Sequence, residues 1–384
     1  MKIGIITFHR ADNFGALLQA YALQEKLCED GHDAEIIDYR CYLLEKDYIW
    51  LYRPFPKPSR NIKRWIKEFI HRLPCLPLLK IKRDKCNTFR KKYLKLTKSV
   101  SSEFDKRNIE ESFDIILTGS DQIWNWALTH GADTWYAYKR IYPQEICTIA
   151  SYGASIGNLD RFKNHIEEYL PALIQYDYIS TRENNSNEFL EHCLKKKVYN
   201  VIDPTLLVKS TVWKKLAETI KLKTINKPYI LLYGVIHNEN ACKIALKLSK
   251  ETKMPLVHFE QELNKISNTI YMQDIGPDDL IKYIENADYV ITSSFHGTVF
   301  SIMLQKKFIT VPTPMNDPRV CSLLGSLNLN ERIIQNIENY DIKKIDATIN
   351  YLEVNNLLNQ LRADSGNYLQ MCISLAEKRR KTKE

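Results

Sequence analysis

Short apolar runs alternate with stretches of helical periodicity along the chain. Lys2–Thr7, Ala34–Asp38, Asp114–Thr118 and Cys147–Tyr152 are compact apolar runs bounded by polar or turn residues, and each reads as a strand. Gly15–Cys28 (GALLQAYALQEKLC) spaces its apolar positions as one face of a helix. Further along, helices near Arg161–Tyr169 and through Glu183–Cys193 flank a strand at Tyr178–Ser180, and Val198–Ile202 runs into Asp203-Pro204. The rhythm restarts beyond Pro204–Ser210. Helices are predicted at Thr211–Glu218, Glu239–Glu251, Pro277–Ala287 and Gly297–Leu304, and strands at Tyr229–Tyr233, Leu256–Phe259, Tyr289–Thr292 and Phe308–Val311. A long helical region follows at about Ile349–Arg380. Strand–helix alternation of this kind predicts mostly parallel sheets covered by helices on both faces. The expectation is an α/β chain of two Rossmann-like, doubly wound domains facing across a cleft. Residues 1–205 would form the first, with an insertion at about 41–107, and residues 206–340 the second. Residues 341–384 would pack back across the join. Ligands of open α/β sheets bind where strands end, so the residues just after each strand carry the candidate chemistry.

Composition narrows the class. At 384 residues the chain exceeds one ordinary core, and its 22 Tyr, 13 Phe and 6 Trp exclude a disordered protein. No apolar run reaches the roughly 18 residues of a membrane span, and the opening MKIGIITFHR lacks a signal-peptide pattern. The nine cysteines are scattered without a C-x-x-C, which predicts a reduced, cytoplasmic protein with neither a disulfide framework nor a zinc site. Charge is concentrated: Arg53–Arg107 holds 18 Lys/Arg against 4 Asp/Glu, whereas the rest of the chain has 37 against 42. Within it, Asn61–Leu79 places Trp65, Ile66, Phe69, Ile70 and Leu73 at helical spacing among Lys63, Arg64, Lys67 and Arg72. Residues 53–107 therefore read in two ways. They are a basic amphipathic segment for peripheral contact with an anionic membrane, at the inner face of the plasma membrane, or an insertion whose apolar stripe packs on its own domain. No nucleic-acid-binding motif accompanies the basic charge, so nucleic acid is not an expected partner.

Four strand ends look chemical. Ser293-Ser294-Phe295-His296-Gly297-Thr298 joins a strand to a helix, a place where backbone N–H groups gather to hold an anion and where His296 is set to exchange a proton. Asp12-Asn13 follows the first strand and fits a helix cap that also faces the cleft. In Thr118-Gly119-Ser120-Asp121-Gln122-Ile123-Trp124-Asn125, the polar side chains of Asp121, Gln122 and Asn125 suit sugar hydroxyls and Trp124 suits a sugar face. Ser180-Thr181-Arg182-Glu183 offers Arg182 to a carboxylate or phosphate, with Glu183 as its partner or as a helix-starting acid. Asp203 ends the last strand of the first half as a turn residue or a cleft carboxylate. Gly153-Ala154-Ser155-Ile156-Gly157 also fits the G-x-S-x-G elbow of hydrolases, with Asp203 and His296 following in the right order; the alternative is a tight turn with Ser155 lining the cleft. No G-x-G-x-x-G, Walker loop or H-E-x-x-H occurs.

Taken in order, the Asn13-Phe14-Gly15 turn, GSDQIWN, YGASIG, Arg182-Glu183, VIDPTLL and SFHG resemble the polysaccharide pyruvyl transferase family over roughly residues 1–330. The resemblance implies a GT-B-like architecture and transfer of pyruvate from phosphoenolpyruvate to a sugar of a cell-surface glycan, often as a ketal on two hydroxyls. It implies phosphoenolpyruvate as co-substrate with no cofactor or metal, and a glycan acceptor carried on polyprenyl diphosphate. On that reading the second domain is the donor side, the donor being met by Arg182 of the first domain and by Ser293, Ser294, His296, Gly297, Thr298 and Arg319 of the second, and the first domain takes the acceptor, through Asp12, Asn13, Gln122, Trp124, Asn125 and Ser155. His296 is the expected proton donor, and Asp121 or Asp203 the base. Many members have Arg two positions before the histidine; this chain has Ser294. A nucleotide-sugar glycosyltransferase of the same architecture and a non-catalytic glycan-binding protein are the alternative readings.

Overall fold

The computed structural model describes residues 1–45, 66, 70, 76–142, 146–220, 225, 228–234, 238–259, 266–272, 274–313, 317–335 and 337–383. In the first half, strands β1 (Lys2–Ile6), β2 (Asp33–Ile36), β3 (Ile115–Gly119) and β4 (Thr148–Tyr152) form a parallel sheet in the order β2-β1-β3-β4. β5 (Ile179–Thr181) and β6 (Val198–Asn200) pair in parallel, and bridges from Ala150 to Tyr178 and from Ala154 to Thr181 tie that pair to β4. β3 and β4 are buried along their whole length, as strands covered on both faces must be. The second half holds β7 (Ile230–Tyr233), β8 (Leu256–His258), β9 (Thr269–Tyr271), β10 (Tyr289–Thr292) and β11 (Lys307–Thr310), all parallel, in the order β11-β10-β7-β8-β9. That is the doubly wound Rossmann order, with β7 and β10 flanking the point where the winding reverses.

The strand–helix rhythm thus folds as its periodicity predicts, with local departures. β9 has an alternating, half-exposed TIY sequence at a sheet edge, too short and too polar to stand out. β6 stops at Asn200, because Asp203 caps the short Pro204–Leu207 helix and Pro204 opens it. The helix after β10 starts at Phe295, not Gly297, because the Ser294 side chain caps it.

One apolar core runs through both halves. Leu17, Leu18 and Tyr21 of the Phe14–Glu29 helix meet Leu206, Trp213, Val299 and Phe300 in a single buried cluster. Trp213 stands at its centre, edge-on to Tyr21 at 6.0 Å and to Phe300 at 4.9 Å, with its indole N–H donating to the Thr205 carbonyl at 3.1 Å. The Tyr351–Lys383 helix then returns to the first half. There Tyr368 Oη donates to the Ser151 carbonyl at 2.6 Å and Arg379 pairs with Asp177 at 2.6 Å.

The basic segment departs from a free amphipathic helix in its described part. Most of Asn61–Leu79 lies outside the described residues. From Leu76 to Tyr93 the chain is a helix that buries Cys86, Phe89 and Arg90. Lys85 reaches Asp279 of the second half at 3.5 Å, and Tyr93 Oη lies 3.5 Å from Thr219 Oγ1. Arg90 donates to the carbonyls of His9, Arg10 and Ala11 and to the Asp12 carboxylate, so this helix moulds the loop after β1. Among the described residues, no helix is long and apolar enough to cross a membrane. Replacing Arg90 by Ala removes one of the two cations on the buried Asp12 carboxylate and leaves three loop carbonyls without their donor. It should cost about 3 kcal/mol, read as a lowered urea midpoint.

Candidate active site

The turns after β1, β3, β4, β5, β6 and β10 meet in one place. Arg182, after β5, donates through Nη1 to Asp203 Oδ2, and its Nη2 lies 3.8 Å from Asp121 Oδ1 in the turn after β3. Gly153, after β4, has φ +58°; a side chain there would sit 3.3 Å from Arg182 Cγ, so the glycine leaves the guanidinium its room. From the second half, His296 brings Nε2 to 3.9 Å from Asp203 Oδ2. Asp203 is therefore shared: Arg182 on one side, His296 on the other, while Thr205 donates to its second oxygen from N at 3.0 Å and Oγ1 at 2.5 Å.

Arg319, on the Asp317–Ser326 helix, completes the cluster. The Phe295 ring lies under both guanidiniums, 5.0 Å from Arg182 Cζ and 5.5 Å from Arg319 Cζ, which fixes two like charges against one aromatic surface. The Gln122 amide sits between Arg319, 3.0 Å away, and Asn125, 2.6 Å away. A cavity of about 110 Å³ opens here, lined by Arg182, Asp203, Phe295, Arg319, Asn184 and Ser322. Several buried polar atoms have no hydrogen-bond partner among the described residues: Nε and Nη2 of Arg182, Nε of Arg319, Nε2 of His296 and both carboxylate oxygens of Glu183. Such groups are costly in a protein interior unless a ligand engages them.

The electrostatics follow from burial and crowding. Burial opposes the Arg182 charge, but Asp203, Glu183 and Asp121 hold its pKa above the ordinary value. Arg319 is pushed down to about 10, first by burial and then by Arg182. Burial would raise the Asp203 carboxyl, yet Arg182, His296 and Thr205 keep it below the usual range. Burial pushes Glu183 up against the pull of Arg182. The His296 imidazole is pushed below 6.5, chiefly by burial, with Arg182 and Arg319 adding to the effect and Asp203 and Asp121 opposing it.

Of the residues expected at the site, Arg182, Asp203, His296, Asp121, Gln122 and Arg319 come together. The SSFHGT bend is a smaller anion cradle than its sequence promises. Its Ser293, Ser294, Gly297 and Thr298 amides donate to Tyr233 O, Thr292 Oγ1, Ser294 Oγ and Ser294 O. The Phe295 and His296 amides remain as the first two donors of the helix. Thr298 Oγ1 is spent on Thr310 at 2.8 Å, and Gly297 is required because a Cβ would press on Thr292 and on Tyr233 Cδ1 at 2.9 Å.

The sugar-side expectations need correction. Trp124 is wholly buried and its indole N–H bonds the Tyr136 carbonyl at 3.0 Å, so it is a core residue with no face for a sugar. Ser155 is also wholly buried; its backbone pairs with Trp124 N and Asp121 O, and its Oγ accepts from Gly157 N at 3.3 Å. The G-x-S-x-G match is thus a turn that zips onto the turn after β3, not a nucleophile elbow. Gly157, at φ +72°, makes room for Asn125, which caps the short Trp126–Thr129 helix. Asn13 caps the Phe14–Glu29 helix through Ala16 N. Asp12 is clamped by Arg90 at 2.7 Å and Arg83 at 3.0 Å. Phe295 and these two arginines were not among the residues expected at the site; the SFHG run was the only signal for the first, and sequence separations of 71 and 78 hide the others.

Two parallel sheets with the cluster at their facing strand ends define a GT-B-type protein. UDP-N-acetylglucosamine 2-epimerase from Rickettsia bellii has a similar structure, with a TM-score of 0.53 over 98% of this chain and 97% of that one at 12% identity. A Methanocaldococcus jannaschii UDP-GlcNAc 2-epimerase in complex with UDP-GlcNAc and UDP has a TM-score of 0.48 over 98% and 100% at 13% identity. No curated protein matches the sequence. The profile of the polysaccharide pyruvyl transferase family matches residues 13–313, and the chain belongs to that family of transferases.

A buried imidazole with a depressed pKa stabilises the fold above its unfolded pKa of 6.5, and that contribution is lost as pH falls through the lower folded value. Tm should therefore fall on acidification below about 6.5 less steeply for His296→Gln than for the parent protein, as differential scanning fluorimetry across that range would show.

Proposed function

We propose that the protein moves pyruvate from phosphoenolpyruvate onto a sugar of a polyprenyl-linked polysaccharide precursor, as a ketal on two hydroxyls. One observation carries the reading. Arg182 and Arg319, mutually repelling and each with a buried N–H that lacks a partner, stand against Phe295 beside the two donors at the helix start. A small molecule bearing both a carboxylate and a phosphate satisfies that arrangement.

The residues then divide the work. His296 is neutral near pH 7 until an anion sits beside it; a doubly anionic donor raises its pKa, so the proton is acquired as the donor binds. Nε2 delivers this proton to the methylene carbon, which becomes the methyl group, and positive charge develops at the adjacent carbon. A sugar hydroxyl adds there, giving up its proton to a carboxylate. A second hydroxyl then displaces inorganic phosphate and closes the ketal, its proton returning to the His296 imidazole. Asp121 suits the base role better than Asp203: it is 3.8 Å from Arg182 with its side chain partly open, whereas the Asp203 side chain is fully enclosed and committed to Arg182 and Thr205. Arg182 and Arg319 hold the donor's charges through the transition state.

Incubating the protein with phosphoenolpyruvate and a panel of lipid-linked or aryl glycosides should give a product heavier by one pyruvylidene group, with release of phosphate. His296→Ala should lower turnover by about 10²–10⁴-fold. Product formed from nucleotide sugars in place of phosphoenolpyruvate, or unaltered turnover by folded His296→Ala, would refute the assignment.

A lipid-linked acceptor also gives the basic segment a role at an anionic surface. Within Leu76–Tyr93, Arg90 is buried and Lys85 reaches Asp279, whereas Lys80, Lys91 and Lys92 stand exposed for such a surface. Replacing Lys57, Arg60, Lys63, Arg64, Lys67, Arg72, Lys80, Lys91 and Lys92 by Gln should abolish co-sedimentation with vesicles rich in phosphatidylglycerol. Equal binding by both forms would rule out this surface.

A further inference from the structure

His296 belongs to the second half, but the surface that seats its ring belongs to the first. Gly15 lies in the first turn of the Phe14–Glu29 helix, directly after the loop that follows β1. A Cβ built on Gly15 would fall 2.5 Å from Cγ and 2.6 Å from Cε1 of His296, with Nδ1 closer still. All three are closer than non-bonded carbon atoms approach in proteins. The imidazole thus rests in a notch where the helix backbone lacks a side chain. On the ring's far edge Nε2 faces Asp203 at 3.9 Å, and the Phe295 ring stands edge-on with centroids 5.3 Å apart.

We infer that Gly15 is a positioning residue for His296. Its bare backbone is the seat that holds the imidazole with Nε2 toward Asp203, and it holds it only while the two halves are apposed. The catalytic part of this inference rests on His296 acting as the proton donor; the seating itself does not.

A double-mutant cycle separates the two. Gly15→Ala should lower Tm in the parent background and displace the His296 ring resonances in histidine-selective NMR. In the His296→Ala background the same change should leave Tm unchanged or raised, since the ring it collides with is gone and alanine favours a helix. In the phosphoenolpyruvate assay, Gly15→Ala should cut kcat about 10–100-fold with KM for the donor changed less than threefold, and should shift the pH profile. If Gly15→Ala does not fold but the double variant does, the seating stands. Equal destabilisation in both backgrounds, failure of both to fold, or parental His296 resonances in Gly15→Ala would overturn it. Intact seating with no activity toward phosphoenolpyruvate in any form would instead remove the assigned reaction.

Discussion

The site depends on one buried ion pair. Arg182 and Asp203 are both buried, and each is costly to remove from water. A pair of well-packed apolar residues would contribute at least as much stability, so stability alone does not account for charge at this position. The pair's other effect is geometric. Asp203 both caps the Pro204–Leu207 helix, where the first half ends, and faces His296 from the second half. Arg182, fixed by it, lies over Phe295, which precedes His296. One carboxylate thereby sets the relative positions of a cation, an imidazole and an aromatic ring that come from separate sheets.

The apolar join makes this precision sustainable. Tyr21, Trp213 and Phe300 interlock edge to face through a core that does not stop at the boundary between halves. Aromatic edges packed in this way resist sliding, because a small displacement loses contacts on both partners. The polar cluster can then hold two repelling guanidiniums near each other without loosening the frame around them.

Much of this was legible in the sequence. Fully buried parallel strands read as unbroken apolar runs, so β1, β3, β4, β7 and β10 stood out; Asp121 lies just beyond β3 and His296 just beyond β10, while Arg182 and Asp203 follow the shorter β5 and β6. What periodicity does not encode is which polar or aromatic residue turns inward. Trp124 and Ser155 sit in the same strand-end turns as the site residues, yet their side chains point into the core, a choice made by how two turns zip together. Asp12 looked like a cleft carboxylate until its distant arginine partners were seen. Gly15 carries no chemistry of its own, and its value appears only when a side chain from position 296 is placed against it.

The Tyr351–Lys383 helix gives the molecule an unusual birth order. Ser151 and Asp177, in the half made earlier, find partners in Tyr368 and Arg379, which are made after the whole second sheet. The early sheet therefore emerges with one face uncovered and waits through the synthesis of the whole second sheet for its covering. Contacts so far apart in sequence form late, because a long loop must close before they are rewarded. The second half folds between two pieces of the first, so the nascent chain presents a finished cleft only after Tyr351–Lys383 has been made.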